Sequence, residues 1–320
     1  MSKMSQENNY LFVSRKIESR INPVIIMGVN RSGKTILGNL IATSLNVEHL
    51  DEPWLLFSLP TLIRLKIINS DIGRDMFLTN LAELMNDTIL LRRANFRPND
   101  LSSIWLQKTP SEIFSRLIEL QSRSDVNKYI KINRPTSLLT LSEAAMSNLP
   151  VLVDILPTCK IIFVVRNGLD VANQIYQKKW FHNERLTNPN TAQLYRLVRY
   201  KKQKMYIPWW VEPENDKEFI EYSEFERGLY YWCVLMERAT ESFKKINNKY
   251  IQVRYEDLLK DPQAIMERVG KFLSIKLSPM TAMAVKNVNK YNREPEITTK
   301  LSRKLLIRAK NIYKLYGYKF

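Results

Sequence analysis

The sequence predicts an α/β fold, a single domain with a central parallel sheet flanked by helices. Short apolar runs, each about as long as one strand, alternate along the chain with longer segments in which apolar residues recur at helical spacing. Strands that alternate with helices pair in parallel, and the helices then cover both faces of the sheet. Ligands of such sheets bind beyond the carboxyl ends of the strands. The predicted strands are 24–28, 129–132, 160–165 and 251–255.

The predicted helices occupy much of the remaining chain. We treat 1–320 as one domain, with 1–21 as an N-terminal extension. The segment 177–226 interrupts the alternation and is rich in Lys, Trp, Tyr and turn residues, so we expect it to form a lid-like insertion. Residues 298–320 repeat Leu or Ile and Lys or Arg at helical spacing, which is typical of an amphipathic helix. Helical periodicity marks 35–44, 74–94, 111–121, 136–147, 224–246, 262–273 and 298–316.

The composition is that of a globular protein, since 45% of the residues are hydrophobic. No apolar run approaches the roughly 20 residues needed to span a bilayer. The first residues lack the apolar core of a signal peptide, so we expect a cytoplasmic protein. The net charge of +17 indicates an anionic ligand, nucleic acid or an acidic membrane surface, or a generally basic surface. With two cysteines and two histidines, a structural zinc site is not expected, and Cys159 and Cys233 are expected to be reduced.

The most informative motif is the octet 28–35, with the sequence GVNRSGKT. It follows the apolar run 23–27 and precedes a helical pattern that starts at Ile36. The octet fits the nucleotide-binding pattern G-x-x-x-x-G-K-[ST]. Such a loop turns its backbone N–H groups inward at a helix N-terminus, where they attract a phosphate. The sequence therefore predicts a nucleotide phosphate site at the end of the first strand.

Further motifs follow the loop in a fixed order. Glu52-Pro53 comes first. The run 160–171, KIIFVVRNGLDV, is a strand that ends in Arg166, and a charged residue at the end of a buried strand needs an anionic partner or solvent. The run 253–262, VRYEDLLKDP, is followed by a Phe-Leu pair in a helical segment.

Together with Arg31-Ser32-Gly33, these motifs resemble the sulfotransferases that use 3′-phosphoadenosine-5′-phosphosulfate (PAPS), and the resemblance extends over about 23–277. The loop arginine is typical of the bacterial and Golgi branches, which include the tyrosylprotein type. The resemblance implies a P-loop-like sulfotransferase fold. It also implies transfer of a sulfonate from PAPS to a hydroxyl or amine of a small-molecule acceptor, with adenosine 3′,5′-bisphosphate (PAP) as the product. No metal is required, since Arg and Lys supply the positive charge.

The resemblance assigns the 5′-phosphosulfate group to the loop. Arg31 would contact the bridging oxygen and the sulfonate, while the backbone N–H groups from Ser32 to Ile36 and the hydroxyl of Thr35 would hold the 5′-phosphate. Lys34 departs from the family, which usually has Thr here, although a lysine still suits a phosphate. The implied loop ligands are Arg31, Ser32, Gly33, Lys34, Thr35 and Ile36.

The resemblance places the 3′-phosphate at Arg166, which distinguishes PAPS from ADP. The family usually has a Ser eight residues later, where this chain has Gln174, whose amide can donate a hydrogen bond. Lys178, one helical turn further, could add charge to the same phosphate. Tyr255 matches the tyrosine that touches the adenine side.

The resemblance also offers candidates for the base and for a second cation. Glu52 stands at the spacing from Arg31 that the tyrosine-sulfating branch uses for its base, and a glutamate can take the acceptor's proton. His49 is the alternative, by analogy with the cytosolic branch. A lysine on a strand before a proline-containing turn often assists transfer, and Lys131 and Lys108 both fit, with Lys131 preferred for its distance from Arg166.

One segment hints at the acceptor. From Trp209 to Glu226 the chain is aromatic and acidic, and 212–226 holds seven acidic residues against Lys217 alone. Aromatic faces with carboxylates suit a cationic acceptor. A guanidinium alkaloid of the saxitoxin type, a product of natural product biosynthesis, would fit, and a solvated loop is an equally good interpretation.

Two other functions compete. A P-loop kinase or other NTPase would need an apolar strand ending in an Asp for Mg²⁺, and the run 151–154, VLVD, could serve. A nucleic-acid-binding protein would need a basic stripe with aromatic stacking positions. Only 201–206, KKQKMY, has that composition, so nucleic acid is not an expected partner.

Overall fold

A computed structural model describes residues 21–189, 194–288 and 301–320. The fold is α/β, as the sequence predicts. Five strands form one parallel sheet in the order β2-β3-β1-β4-β7, and two more form an antiparallel hairpin. The strands are β1 (Asn22–Met27), β2 (Val47–Asp51), β3 (Thr136–Thr140), β4 (Lys160–Val165), β5 (Tyr195–Tyr200), β6 (Gln203–Pro208) and β7 (Tyr250–Arg254).

Helices surround the central sheet. Two short 3₁₀ helices, Ile104–Leu106 and Pro213–Asn215, lie in connecting segments. The α-helices are α1 (Lys34–Ala42), α2 (Trp54–Arg64), α3 (Ser70–Ile89), α4 (Pro110–Glu119), α5 (Arg123–Asn133), α6 (Ala144–Ile155), α7 (Gly168–Gln177), α8 (Asn183–Thr187), α9 (Asp216–Glu221), α10 (Glu224–Phe243), α11 (Tyr255–Lys260), α12 (Pro262–Leu273), α13 (Pro279–Lys286) and α14 (Arg303–Leu315). No helix in the described ranges is both long and apolar enough to cross a membrane.

The two faces of the sheet bury separate cores. On β1, Ile25 and Met27 pack into the larger core, which includes buried residues of α3, α6, α7 and α10. Val24 and Ile26 point the other way and pack with residues of α1 and α12. This alternation follows from the two-residue period of a strand. Because both faces are covered, β1 and β4 carry nearly continuous apolar runs, and ligands can reach the sheet only at the ends of its strands.

Two sequence predictions of local structure are wrong. The predicted strand 129–132 lies in helix α5, which starts with a capping box between Ser122 and Asp125 and buries Val126 and Ile130 on one face. The predicted helix 136–147 begins instead as strand β3, whose residues are all buried. Leucines that face a core on both sides carry no alternation, so this strand could not be distinguished from a buried helix by periodicity.

The expected lid segment packs into the larger core, which includes its buried residues Phe181, Ile207 and Trp210. Within 177–226 the described residues form α8, the β5–β6 hairpin, a 3₁₀ turn, α9 and the start of α10, while 190–193 lie outside the described residues. The N-terminal extension lies outside them except for Ile21, as do 298–300 of the C-terminal segment, of which α14 is described. Cys159 and Cys233 are buried and unpaired with each other, as predicted.

Candidate active site

The glycine-rich loop lies at the carboxyl end of β1, between β1 and α1. Gly33 has a φ of 92°, and a Cβ there would lie 2.3 Å from the ring of Tyr255. At Gly28 a Cβ would lie 2.3 Å from the carbonyl oxygen of Val164. The loop therefore needs glycine at both positions, once for a left-handed backbone and once for close approach to β4.

Four residues that the sequence assigns to one nucleotide lie together at this edge. A guanidinium nitrogen of Arg31 donates to Oε1 of Gln174 at 3.1 Å. Arg166 donates to the backbone carbonyl of Arg31 at 2.9 Å, and its guanidinium carbon lies 4.4 Å from the ring centre of Tyr255. Arg166 is buried, so its charge acts with little screening by water.

A cavity of about 260 Å³ opens between these residues and the loop, and we call it the loop cavity. Most of the predicted nucleotide ligands line it, although Ser32, Gln174 and Lys178 do not. The hydroxyl of Ser32 is buried without a hydrogen-bond partner. The lining residues predicted from the sequence are Arg31, Gly33, Lys34, Thr35, Ile36, Glu52, Arg166 and Tyr255.

Lys34 is buried and its ammonium turns back on the loop. It donates to the carbonyl oxygens of Gly28 and Val29 at 3.1 and 3.3 Å and to Oδ1 of Asn30 at 3.1 Å. It also lies 3.9 Å from a carboxylate oxygen of Glu52. Burial lowers the pKa of Lys34, and the neighbouring carboxylates oppose that shift. The lysine thus joins the loop to the end of β2.

Glu52 follows β2 and borders the loop cavity. Its backbone N–H donates to the carbonyl of Thr140 at 2.9 Å, which extends the β2–β3 pairing by one residue and brings Glu52 to the sheet edge. It has a φ of 44°, an uncommon conformation for a residue other than glycine. Its carboxylate is half exposed, so it is free to meet an acceptor.

The alternative base is placed differently. His49 is buried in β2, and its Nε2 lies 2.8 Å from the hydroxyl of Thr140. The ring packs so closely on Gly38 of α1 that a Cβ there would lie 2.7 Å away. Burial, followed by the charge of Lys108, lowers the pKa of His49 to about 3. The imidazole does not line the loop cavity, so the structure favours Glu52 over His49.

The two lysines expected to assist transfer are not at the site. Lys131 is exposed in the last turn of α5, which precedes β3 and so lies at the amino end of the strands. Lys108 is buried beside the start of β2, where it donates to the carbonyl of Val47 at 2.7 Å and lies 3.9 Å from Glu48. Both lysines therefore lie outside the site, contrary to the prediction.

Lys108 belongs to a buried ion network instead. Arg116 binds both carboxylate oxygens of Glu48, at 2.6 and 3.0 Å, and also contacts Glu112. Burial alone would raise the pKa of Glu48, but Lys108 and Arg116 together hold it below its ordinary value. The network attaches α4 to β2, and its role is structural.

A second cavity of about 370 Å³ adjoins the first, and we call it the lid cavity. Asn30, Glu52 and Trp180 border both cavities. The insertion supplies much of its wall, including Lys178, which is therefore placed on this side of the site. The lining residues from the insertion are Lys178, Trp180, Phe181, Arg185, Pro189, Tyr195 and Trp210.

Glu143 is a site residue that sequence reasoning missed. It comes directly before α6, at the carboxyl end of β3, and lines the lid cavity beside Ser142. Asn30 donates to its carboxylate at 2.5 Å. Burial raises the pKa of this carboxyl group. Because 136–147 was predicted as a helix, Glu143 was not expected at the carboxyl end of a strand.

The acidic strip does not form the expected wall of the acceptor site. Asp216 pairs with Arg196 and Glu212 with Arg238. Lys304 lies 2.6 Å from Glu218. Neither cavity has a carboxylate of this strip in its wall, although Trp210 lines the lid cavity. Three of the strip's seven carboxylates thus pair with cations from other parts of the chain.

A kinase would need the run 151–154 to be a strand that ends in a Mg²⁺-binding aspartate. This run lies within helix α6 instead. Another aspartate, Asp51, lies at the end of β2 near the side chain of Thr35. Burial, followed by the charge of Glu52, raises the pKa of Asp51 to about 6. In the described residues no three His, Cys, Asp or Glu side chains cluster closely enough to hold a metal ion.

Solved structures similar to this chain include three bacterial sulfotransferases. The domain from the Synechococcus PCC 7002 olefin synthase shares 16% identity, with 94% of this chain and 96% of that chain covered and a TM-score of 0.48. The domain from the curacin biosynthetic pathway shares 12% identity, with 94% and 99% covered and a TM-score of 0.48. STF9 from Mycobacterium avium shares 13% identity, with 92% and 76% covered and a TM-score of 0.44.

No curated protein matches the chain in sequence at a significant level. The sequence profile described as the Sulfotransferase family, however, matches residues 23–279. The matched span runs from β1 through α12 and includes the loop, Glu52, Arg166 and Tyr255. Because it covers most of the chain, the protein belongs to the sulfotransferase family.

Proposed function

We propose that this protein transfers the sulfonate of PAPS to a hydroxyl or amine of a small molecule held in the lid cavity. One observation carries the proposal: two adjoining cavities meet at Glu52, one lined by cations and a glycine-rich loop, the other by aromatic side chains. A donor and an acceptor bound in such neighbouring sites are held close enough to react.

The loop cavity suits a nucleotide with two anionic ends. Arg31 and the N-terminus of α1 line this cavity, where they would hold the 5′-phosphosulfate. Arg166, which packs over the ring of Tyr255, also lines it and would bind the 3′-phosphate. Gln174, which contacts Arg31, would position that arginine, and this differs from the direct 3′-phosphate role that the resemblance assigns to it.

The reaction is an in-line displacement at sulfur. The acceptor oxygen or nitrogen forms a bond to sulfur while the bond from sulfur to the bridging oxygen breaks, and that electron pair leaves with PAP. Glu52 accepts the proton of the acceptor. Negative charge grows on the sulfonyl and bridging oxygens, and Arg31 stabilises it.

Lys34 would supply the second cation in place of Lys108 and Lys131. In the G-x-x-x-x-G-K-[ST] loop, the lysine reaches the phosphate beyond the first one. In PAPS the sulfonate occupies that place. Lys34 lines the loop cavity, and its ammonium, 3.9 Å from a carboxylate oxygen of Glu52, would turn from the loop carbonyls to share the charge that develops there.

The proposal is tested by nucleotide binding. Calorimetry should show that PAP binds without Mg²⁺ and more tightly than AMP, because AMP lacks the 3′-phosphate that Arg166 would bind. Arg166→Ala should remove most of this preference for PAP, whereas Arg199→Ala, an exposed arginine of β5, should leave it unchanged. Equal binding of PAP and AMP by the unaltered protein would contradict the proposal.

A P-loop kinase remains the second candidate, and one observation favours it. The carboxylate of Asp51 lies near the hydroxyl of Thr35, and P-loop NTPases hold Mg²⁺ with a loop hydroxyl and an aspartate. ATP binding that depends on Mg²⁺ and exceeds PAP binding would identify the protein as a kinase.

The acceptor is proposed to be a small molecule. The expected preference for a cationic acceptor, such as a guanidinium alkaloid from natural product biosynthesis, is not proposed again, because Lys178 and Arg185 line the lid cavity together with Glu52 and Glu143. Neither a bilayer nor a nucleic acid takes part in this reaction.

A further inference from the structure

A third cavity, of about 380 Å³, lies against helix α2 next to the lid cavity, and we call it the apolar groove. Its volume is within the usual range of small-molecule sites. Its wall consists largely of aromatic and aliphatic side chains, and Trp54 is more than half exposed. The apolar residues of the wall are Trp54, Phe57, Leu62, Ala144, Leu194 and Trp209.

The outer wall of the groove is held in place by its surroundings. The ring centre of Trp209 lies 5.4 Å from the guanidinium carbon of Arg64 and 5.5 Å from that of Arg238. Arg64 is fixed in turn by a hydrogen bond of 2.7 Å to Asn148. The backbone N–H of Trp209 donates to the carbonyl of Leu194 at 3.0 Å. These contacts keep the groove open as a formed site.

The groove and the lid cavity are neighbours that share part of their walls. Phe57, Ser142 and Glu143 line both of them. A molecule that reacts beside Glu52 in the lid cavity would pass Phe57 and Glu143 to enter the groove. Among the described residues that line the groove, only Glu143 at this junction is charged. The occupant of the groove is therefore the apolar part of a molecule whose polar end lies in the lid cavity.

We propose that the acceptor is amphiphilic, with the reacting hydroxyl or amine in the lid cavity and an aliphatic portion along α2 in the apolar groove. The inference rests on the proposed sulfonate transfer and adds to it the class of acceptor. Trp54, Leu62 and Trp209 then select for the length of the apolar portion. Removing each methylene from water favours binding until the groove is filled.

The test uses primary n-alkanols from butanol to decanol as probes, titrated into the PAP-loaded protein. Trp54 and Trp209 line the groove, so tryptophan fluorescence reports binding. We expect the dissociation constant to fall by about four-fold for each added methylene. Ser58 lines the groove but not the lid cavity, and Ser58→Phe should block the groove and flatten the dependence on chain length.

The matched control is Ser115→Phe, the same change at an exposed serine of α4. It should keep the full dependence on chain length. Leu62→Asp, which adds a charge to the groove wall, repeats the test independently of side-chain bulk and should weaken decanol far more than butanol. A dependence on chain length that is unchanged in both groove variants would overturn the inference.

PAP affinity is measured in the same samples. Failure of the unaltered protein to bind PAP would contradict the proposed function. A flat alkanol series in protein that binds PAP normally would contradict the amphiphilic acceptor alone and leave sulfonate transfer standing.

Discussion

The ammonium of Lys34 lies 3.9 Å from a carboxylate oxygen of Glu52, at the border between the loop cavity and the lid cavity. The lysine belongs to the phosphate-binding loop and the glutamate is the candidate base. The group that would bind the departing anion therefore lies next to the group that would take the acceptor's proton. The first two predictions separate these roles.

Replacing Lys34 by Met should lower kcat by about 10²–10³-fold, the usual cost of losing one donor that stabilises transition-state charge. PAP lacks the sulfonate, so its dissociation constant should change much less. Steady-state kinetics with PAPS and calorimetry with PAP provide the two measurements. Lys34→Thr, which introduces the residue usual in the family, should behave like Lys34→Met. If PAP affinity falls as much as kcat, Lys34 acts by holding the loop or the phosphate.

Replacing Glu52 by Gln keeps the shape of the side chain and removes the base, so kcat should fall by roughly 10²–10⁴-fold. The KM for PAPS should stay nearly constant. Glu143→Gln is the informative comparison, since Glu143 lines the lid cavity but already accepts a hydrogen bond from Asn30. It should mainly raise the KM for the acceptor. The reverse pattern would identify Glu143 as the base.

The sequence predicted the residues around the loop, at the carboxyl ends of β1 and β4, because the patterns that identify these two strands are local. An apolar run bounded by a glycine-rich loop identifies β1, and a run ending in Arg166 identifies β4. These two strands are hydrogen-bonded neighbours, so the residues that follow them had to lie together. The resemblance assigned Arg31 and Arg166 to one nucleotide, and in the structure Arg166 donates to the backbone carbonyl of Arg31.

The remaining features depend on contacts between distant parts of the chain. Glu143 reaches the site only because β3 inserts between β1 and β2, a pairing that no local pattern contains. The acidic strip is neutralised in part by Lys304, 86 residues from its partner Glu218. The prediction for Lys131 failed for a local reason. The short apolar run around Lys131 resembles a strand, although a capping box between Ser122 and Asp125 starts the helix that contains it.

Lys108 provides a test of the corrected assignment. Because its ammonium helps to neutralise the buried carboxylate of Glu48, Lys108→Met should destabilise the fold by about 1–3 kcal/mol, the cost of leaving a buried group poorly partnered. Arg116 still binds Glu48, which limits the loss. Lys131→Met, at an exposed position, should change stability little. Urea unfolding measures the stability, and both variants should keep their PAP affinity and kcat below the unfolding transition.

A loss of activity in Lys131→Met without loss of stability would restore that lysine as a candidate for the second cation. If Lys108→Met behaved in that way, the buried network would have a catalytic role in addition to its structural one.

Asp51 should make the stability of the protein depend on pH. Burial and the charge of Glu52 raise its pKa from 3.8 to about 6 in the folded state, so the folded protein binds this proton more tightly than the unfolded chain does. The contribution of Asp51 to the free energy of unfolding should therefore fall as pH rises from about 4 to about 6, and stay low above that. A shift of this size corresponds to about 2–3 kcal/mol. Asp51→Asn keeps the shape of the side chain and cannot ionise. Relative to the unaltered protein, this variant should gain about 2–3 kcal/mol more stability at pH 8 than at pH 4, measured by urea unfolding. Asp154→Asn, at an exposed position on α6, is the matched control. An equal difference in stability at both pH values would show that the proton of Asp51 is not held by the fold.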